Sequence, residues 1–98
     1  MRIVSEKALK DFWEAHTIVE GQLKAWRSDV RNSNWESPQD VKDRFGSNVD
    51  ILPENRAVFD IKGNDFRIVA KINYSLKIVF VRFVGTHAEY DKINAKTI

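Results

Sequence analysis

His87 and Tyr90 stand three residues apart, just beyond two β-prone runs that carry Arg67, Lys71 and Arg82. Imidazole is the side chain whose unperturbed titration falls near neutral pH, which suits it to taking or giving a proton. A helix's first turn disfavours a cation, and a neutral ring there can accept the proton of a ribose 2′-hydroxyl. Tyr90 falls on the same side of such a helix, where its hydroxyl can bond a phosphate or relay a proton. Arginine presents a forked array of donors that matches phosphate oxygens, and Phe80 offers a ring on which a base can stack. Together these residue types describe cleavage of an RNA backbone by side chains alone. The same residues have blander uses. Outward cations keep a sheet soluble, and a histidine at a helix start can simply pack. The argument for chemistry rests on their clustering.

That clustering requires a particular set of elements. Arg2-Ile3-Val4 is a short strand, and Ser5 caps a helix over residues 6–16 with Ala8, Leu9, Phe12 and Trp13 at helical spacing. His16 falls on its apolar side. Thr17 and Glu20 form a capping-box pattern, after which Val19, Leu23, Trp26 and Val30 make one apolar stripe. Ser37-Pro38 with Asp40 starts a short helix that Gly46 stops, and Trp35 anchors the chain before it. Residues 56–61, 66–73 and 77–84 then read as three antiparallel strands joined by tight turns. Ile68, Ala70 and Ile72 point inward on the second, and Val79, Val81 and Phe83 on the third. Arg67, Lys71, Asn73, Asp60, Phe80, Arg82 and Val84 point outward. In this register Arg82 pairs near Ile68, a diagonal step from Arg67. Thr86 and Glu89 form a last capping box over His87 and Tyr90, and residues 92–98 read as a fraying tail. Helices that precede such a meander cover its inward face, so the fold class is α+β, a two-layer sandwich with a C-terminal helical segment and one open, cationic sheet face.

Ninety-eight residues make one domain, 1–98. With 43% hydrophobic and 31% charged residues the chain has the composition of a folded globule. The absence of cysteine excludes disulfides and thiolate metal sites, and no His/Asp/Glu spacing suggests a metal, so neither metal nor cofactor is expected. No apolar run reaches the length of a membrane span, and the N-terminus lacks the apolar region of a signal peptide. Net charge is only +2, but it is unevenly spread. Residues 56–98 hold 8 Lys/Arg against 4 Asp/Glu, while residues 1–55 hold 8 against 10. An anionic partner is drawn to the sheet.

The stretches Asn64-Asp65-Phe66-Arg67-Ile68-Val69-Ala70 and Val84-Gly85-Thr86-His87-Ala88-Glu89-Tyr90-Asp91 resemble the HigB family of bacterial type II toxins. The opening Arg2-Ile3-Val4-Ser5-Glu6-Lys7-Ala8-Leu9 and the region of Trp35, Pro38 and Asp40 fit the same family, so the resemblance runs over roughly residues 1–94. It implies a RelE-like fold and a cytoplasmic bacterial endoribonuclease. Such an enzyme cuts mRNA on the ribosome by metal-free attack of the 2′-hydroxyl. It is neutralised by a HigA-type helix-turn-helix antitoxin, as a monomeric toxin that joins a heterotetramer. Carried over by position, His87, Arg67, Arg82, Lys71 and Tyr90 are the catalytic candidates. His87 is general base or else the acid at the leaving 5′-oxygen, and Arg67 and Arg82 stabilise the phosphorane. Phe80, Asn73, Lys77 and Lys92 are the RNA-binding candidates. Two rival functions fit the fold: a gyrase-inhibiting toxin of the ParE kind, which needs no catalytic histidine, and a noncatalytic RNA- or ribosome-binding module.

Overall fold

The computed structural model describes residues 1–98. Strand β1 (Arg2–Val4) leads into α1 (Glu6–Ala15) and then, through a 3-10 turn at Thr17–Val19, into α2 (Glu20–Arg31). Helix α3 (Pro38–Phe45) and a second 3-10 turn follow. The chain then runs through β2 (Val49–Leu52), β3 (Arg56–Ile61), β4 (Phe66–Asn73) and β5 (Ile78–Thr86) to α4 (His87–Tyr90). The five strands lie in the order β1-β5-β4-β3-β2. From β2 to β5 every step is an antiparallel hairpin, which carries the chain back across the sheet until β5 meets β1 in parallel. The sheet is therefore mixed rather than wholly antiparallel.

The helices cover one face as their stripes require. Val19, Leu23, Trp26 and Val30 are all buried, with Leu9 and Trp13 of α1 beside them. They meet Phe59, Ile68, Ala70, Ile72, Val79 and Val81 from the sheet in one continuous core. Phe59 is its aromatic centre, edge-on to Trp26 at 5.2 Å and to Phe45 at 4.9 Å. Gly46 ends α3 with a φ of 57°, a conformation that suits a residue without Cβ.

Several local expectations are corrected. Strand β2 was hidden because it is a four-residue edge strand containing Asp50 and closed by Pro53, too short to show a period. Ser5 takes a left-handed conformation and forms no side-chain cap, and Thr17 opens a 3-10 turn rather than a capping box. Between β4 and β5 a bulge leaves Arg82 without a partner, since Val69 pairs with Phe83 and Ala70 with Val81. One extra residue reverses every side chain beyond it. Phe83 therefore turns outward and Val84 packs against the core, the opposite of simple alternation. Finally, residues 92–98 do not fray. They fold across the outer face, where Ala95 is buried with Val58 and Val69 and is flanked by Ile93 and Ile98.

Candidate active site

The Lys62–Asp65 turn sets the register that builds the site. Ile61 pairs with Phe66, so Asp60 stands directly across from Arg67. Both point outward, and Arg67 Nε lies 3.1 Å from Asp60 Oδ1. On its other side Arg67 pairs with Gly85 of β5. Because the strand hands over to α4 immediately after, His87 and Tyr90 arrive at the same end of the outer face.

Arg67 is 8% exposed and fully engaged. Nη1 donates to the carbonyls of Asn64 at 2.9 Å and Phe66 at 3.3 Å. Nη2 donates to Asn64 Oδ1 and, at 3.0 Å, to His87 Nδ1. Its guanidinium carbon stands 5.6 Å from the centre of the Tyr90 ring, a cation–π distance. No side of the fork is left open for a ligand. The His87 contact decides a tautomer, since arginine can only donate. His87 Nδ1 must accept, so the neutral ring carries its proton on Nε2. That nitrogen faces outward, 3.3 Å from Asp91 Oδ2, and the His87 side chain is 44% exposed.

Helix α4 is only one turn long, yet it is firmly tied. Thr86 Oγ1 accepts from the Glu89 amide at 3.1 Å, and Glu89 Oε1 accepts from the Thr86 amide at 2.8 Å, a complete capping box. The Thr86 backbone amide, with the Thr86 side chain second, holds the Glu89 carboxyl below the usual carboxylate range. The His87 amide donates to Asp65 O at 2.9 Å, which fastens the helix to the β3–β4 turn. Gly85 leaves room for the Phe83 ring, which lies 6.4 Å from Tyr90. A Cβ at Gly85 would come within 2.5 Å of Phe83 Cζ.

The other candidates lie elsewhere on the face. Lys71, Asn73 and Phe80 share a separate open concavity of about 380 Å³ with Asn55 and Tyr74. Burial, and next the Asp40 charge, push the Tyr74 hydroxyl up, so it stays a neutral donor. Four residues of extended strand set Lys71 about 13 Å from Arg67. Arg82 is not beside Arg67, because the bulge moves it. It is exposed and directs Nε to the Ile98 oxygen at 3.4 Å. Lys77 turns its ammonium to the Trp35 carbonyl at 2.9 Å, toward the helical layer, and Lys92 is exposed.

Comparison with known proteins matches residues 19–93 to a family described as HigB toxin, the RelE-like toxic component of a toxin–antitoxin system. This chain belongs to the HigB toxin family. The mRNA interferase toxin HigB of Escherichia coli (strain K12) is 31% identical over 97 residues, covering 97% of this chain and 92% of that protein. The mRNA interferase HigB of Shigella flexneri gives the same figures. As a HigB toxin the chain is one half of a toxin–antitoxin pair. None of its helices is long and apolar enough to cross a membrane.

In this HigB toxin Arg67, His87 and Tyr90 converge, whereas Lys71, Arg82, Phe80, Asn73, Lys77 and Lys92 do not join them. The sequence places Asp60 on the outer face without giving it a task, and singles out no role for Asp91. Asp60 was within reach, because counting back from the Lys62–Asp65 turn sets it opposite Arg67. Asn64 carried no signal beyond turn chemistry.

Proposed function

We propose that this HigB toxin is an mRNA interferase, an endoribonuclease that cuts transcripts on the ribosome without a metal and thereby stops translation. Its curated relatives carry that name. The observation that supports a mechanism is the 3.0 Å contact between Arg67 Nη2 and His87 Nδ1. It occupies the one lone pair of the neutral ring and leaves Nε2–H as the outward donor. With Nδ1 already accepting, we read His87 as a hydrogen-bond donor to the phosphorane, rather than as the general base or the acid at the leaving 5′-oxygen.

The reading is then as follows. The 2′-oxygen attacks the adjacent phosphorus, and its proton passes to the Asp91 carboxylate. Negative charge gathers on the phosphorane and is met by His87 Nε2–H, an aimed donor of the kind whose loss commonly costs about 2.7–4 kcal/mol of transition-state stabilisation. Tyr90 forms one wall and orients the phosphate. The phosphorus–5′-oxygen bond breaks, a 2′,3′-cyclic phosphate remains, and the leaving oxygen takes a proton from water. Arg67 acts through His87 and is a positioning residue. Transcripts on ribosomes put the site of action in the bacterial cytoplasm. Neutralisation by a HigA-type helix-turn-helix antitoxin in a heterotetramer, from a monomeric toxin, completes the reading.

The test is a translation reaction with a defined mRNA. The wild type should yield fragments ending in cyclic phosphate, and His87→Ala and Asp91→Asn should each lower the cutting rate by about 10²-fold or more. Undiminished cutting by both variants would remove the mechanism. Intact mRNA with an induced DNA-damage response would instead point to a gyrase inhibitor.

A further inference from the structure

The concavity at the turn end of the β4–β5 hairpin has no part in the site just described. Its volume is about 380 Å³, and Lys71 is the one charged side chain that lines it. Lys71 and Asn73 are two apart on β4 and so share the outer face. Phe80 of β5 stands across from Lys71, half-buried on the same face. Asn55 joins them from the β2–β3 turn. It takes a left-handed conformation, φ 62°, which asparagine tolerates. Its carbonyl accepts from the Ile72 amide at 2.8 Å, which fastens that turn to the end of β4. The Asn73 carboxamide has a fixed sense. The Leu76 amide can only donate, and it reaches Asn73 Oδ1 at 3.0 Å, so Nδ2 is the end left for a ligand. Tyr74 packs against the main core and steadies the turn from behind. The C-terminal segment packs on Val58 and Val69 and does not line this space.

We infer that this concavity is a pocket for one unpaired nucleotide flanking the cut: its base stacks on Phe80, Asn73 and Asn55 bond the base edge, and Lys71 holds its phosphate. This rests on the proposed function and adds a specificity subsite to it. A ring, two carboxamides and one cation, with no carboxylate among them, match the three parts of a nucleotide in turn. A free phosphate has no use for the ring, and an apolar ligand has none for the amides. Lys71 lies about 13 Å from Arg67, so the nucleotide held here is a neighbour of the scissile one. The separation that removes Lys71, Asn73 and Phe80 from the chemistry thus gives them a task of their own. Ribose attack is carried out at the α4 end of the sheet, and the base is read at the other.

The probes are 2′-O-methyl hexanucleotides, which have no attacking hydroxyl and cannot be cut: one for each base, and an abasic hexamer of the same charge. Each is titrated into the full chain and followed by fluorescence anisotropy at several salt concentrations. The wild type is expected to bind the base-bearing hexamers more tightly than the abasic one, and to rank the four bases. Phe80→Leu should weaken every base-bearing hexamer by about 5-fold or more and leave the abasic one unchanged. Lys71→Met should weaken all of them by a common factor and flatten the slope of log affinity against log salt by about 0.7, the loss of one phosphate contact on a single strand. Asn73→Ala, and Asn55→Gly, which keeps the left-handed turn, should narrow the spread among the bases and leave the slope alone. Lys71 is exposed, so its variant keeps the test decisive if Phe80→Leu fails to fold. Four equal affinities or no binding in the wild type, equal losses on abasic and base-bearing hexamers in Phe80→Leu, or an unchanged slope in Lys71→Met would each overturn the inference. None of these readouts depends on cleavage. A wild type that cuts mRNA but fails them loses only the subsite, and one that passes them without cutting loses only the nuclease.

Discussion

At the scale of single residues, the site depends on a buried cation whose partners were chosen before any substrate arrives. Arg67 is held by Asp60, by the Asn64 backbone and side chain, and by His87. A buried pair contributes little over an apolar substitute, but breaking it strands a charge, at about 3–5 kcal/mol. Arg67→Met should therefore do two separable things: strand Asp60, lowering stability by about that amount, and free His87 Nδ1, lowering cutting. Adding Asp60→Asn should return most of the stability and none of the activity. Urea unfolding beside the mRNA-cleavage assay checks both arms. Recovery of cutting in the double variant would show that Arg67 acts only as a structural charge. Arg67→Lys is expected to fail as well, because one ammonium cannot serve acceptors on three sides.

At the scale of elements, a single turn of helix carries His87 and Tyr90, and its capping box decides whether they stay in place. Thr86→Ala should cost about 1 kcal/mol of stability and lower cutting further, as His87 loses its frame. The box also has a pH signature. The Glu89 carboxyl is depressed in the folded chain by the Thr86 amide and hydroxyl. Its contribution is thus fully present above the ordinary value of 4.5 and is lost as pH falls through the lower folded value. Wild type should lose more stability than Glu89→Gln over that acid window, as measured by thermal unfolding at a series of pH values; parallel curves would mean the box does not hold in solution. Gly85 offers a second check on the same end of the sheet. Gly85→Ala forces the Phe83 ring aside and should destabilise by about 1–3 kcal/mol in urea unfolding.

At the scale of the whole molecule, what was legible in the sequence divides along a physical line. The apolar stripe of α2, the hairpin at Lys62–Asp65 and the capping box at Thr86 each rest on local chemistry, and each stands in the structure. Strand β2 depends on pairing with β3, the bulge at Arg82 on pairing with β4, and the docking of the C-terminal segment (residues 92–98) on contacts with β3 and β4, more than twenty residues away; no local pattern carries such information. That difference also orders stability. Strands β3 and β4 are central, and their amides are shared with neighbours on both sides. The C-terminal segment is held by turn hydrogen bonds such as Ile93 N to Tyr90 O, at 3.2 Å, and Ile98 N to Asn94 O, at 3.0 Å. Segments with few buried apolar contacts open without global unfolding. Native-state hydrogen exchange should therefore find the Ile93 and Ile98 amides exchanging by local opening, with no dependence on dilute denaturant. The amides of Ile68 and Ala70 should instead exchange only through complete unfolding, with the full denaturant slope. Equal slopes for both groups would mean that the C-terminal segment is an inseparable part of the core.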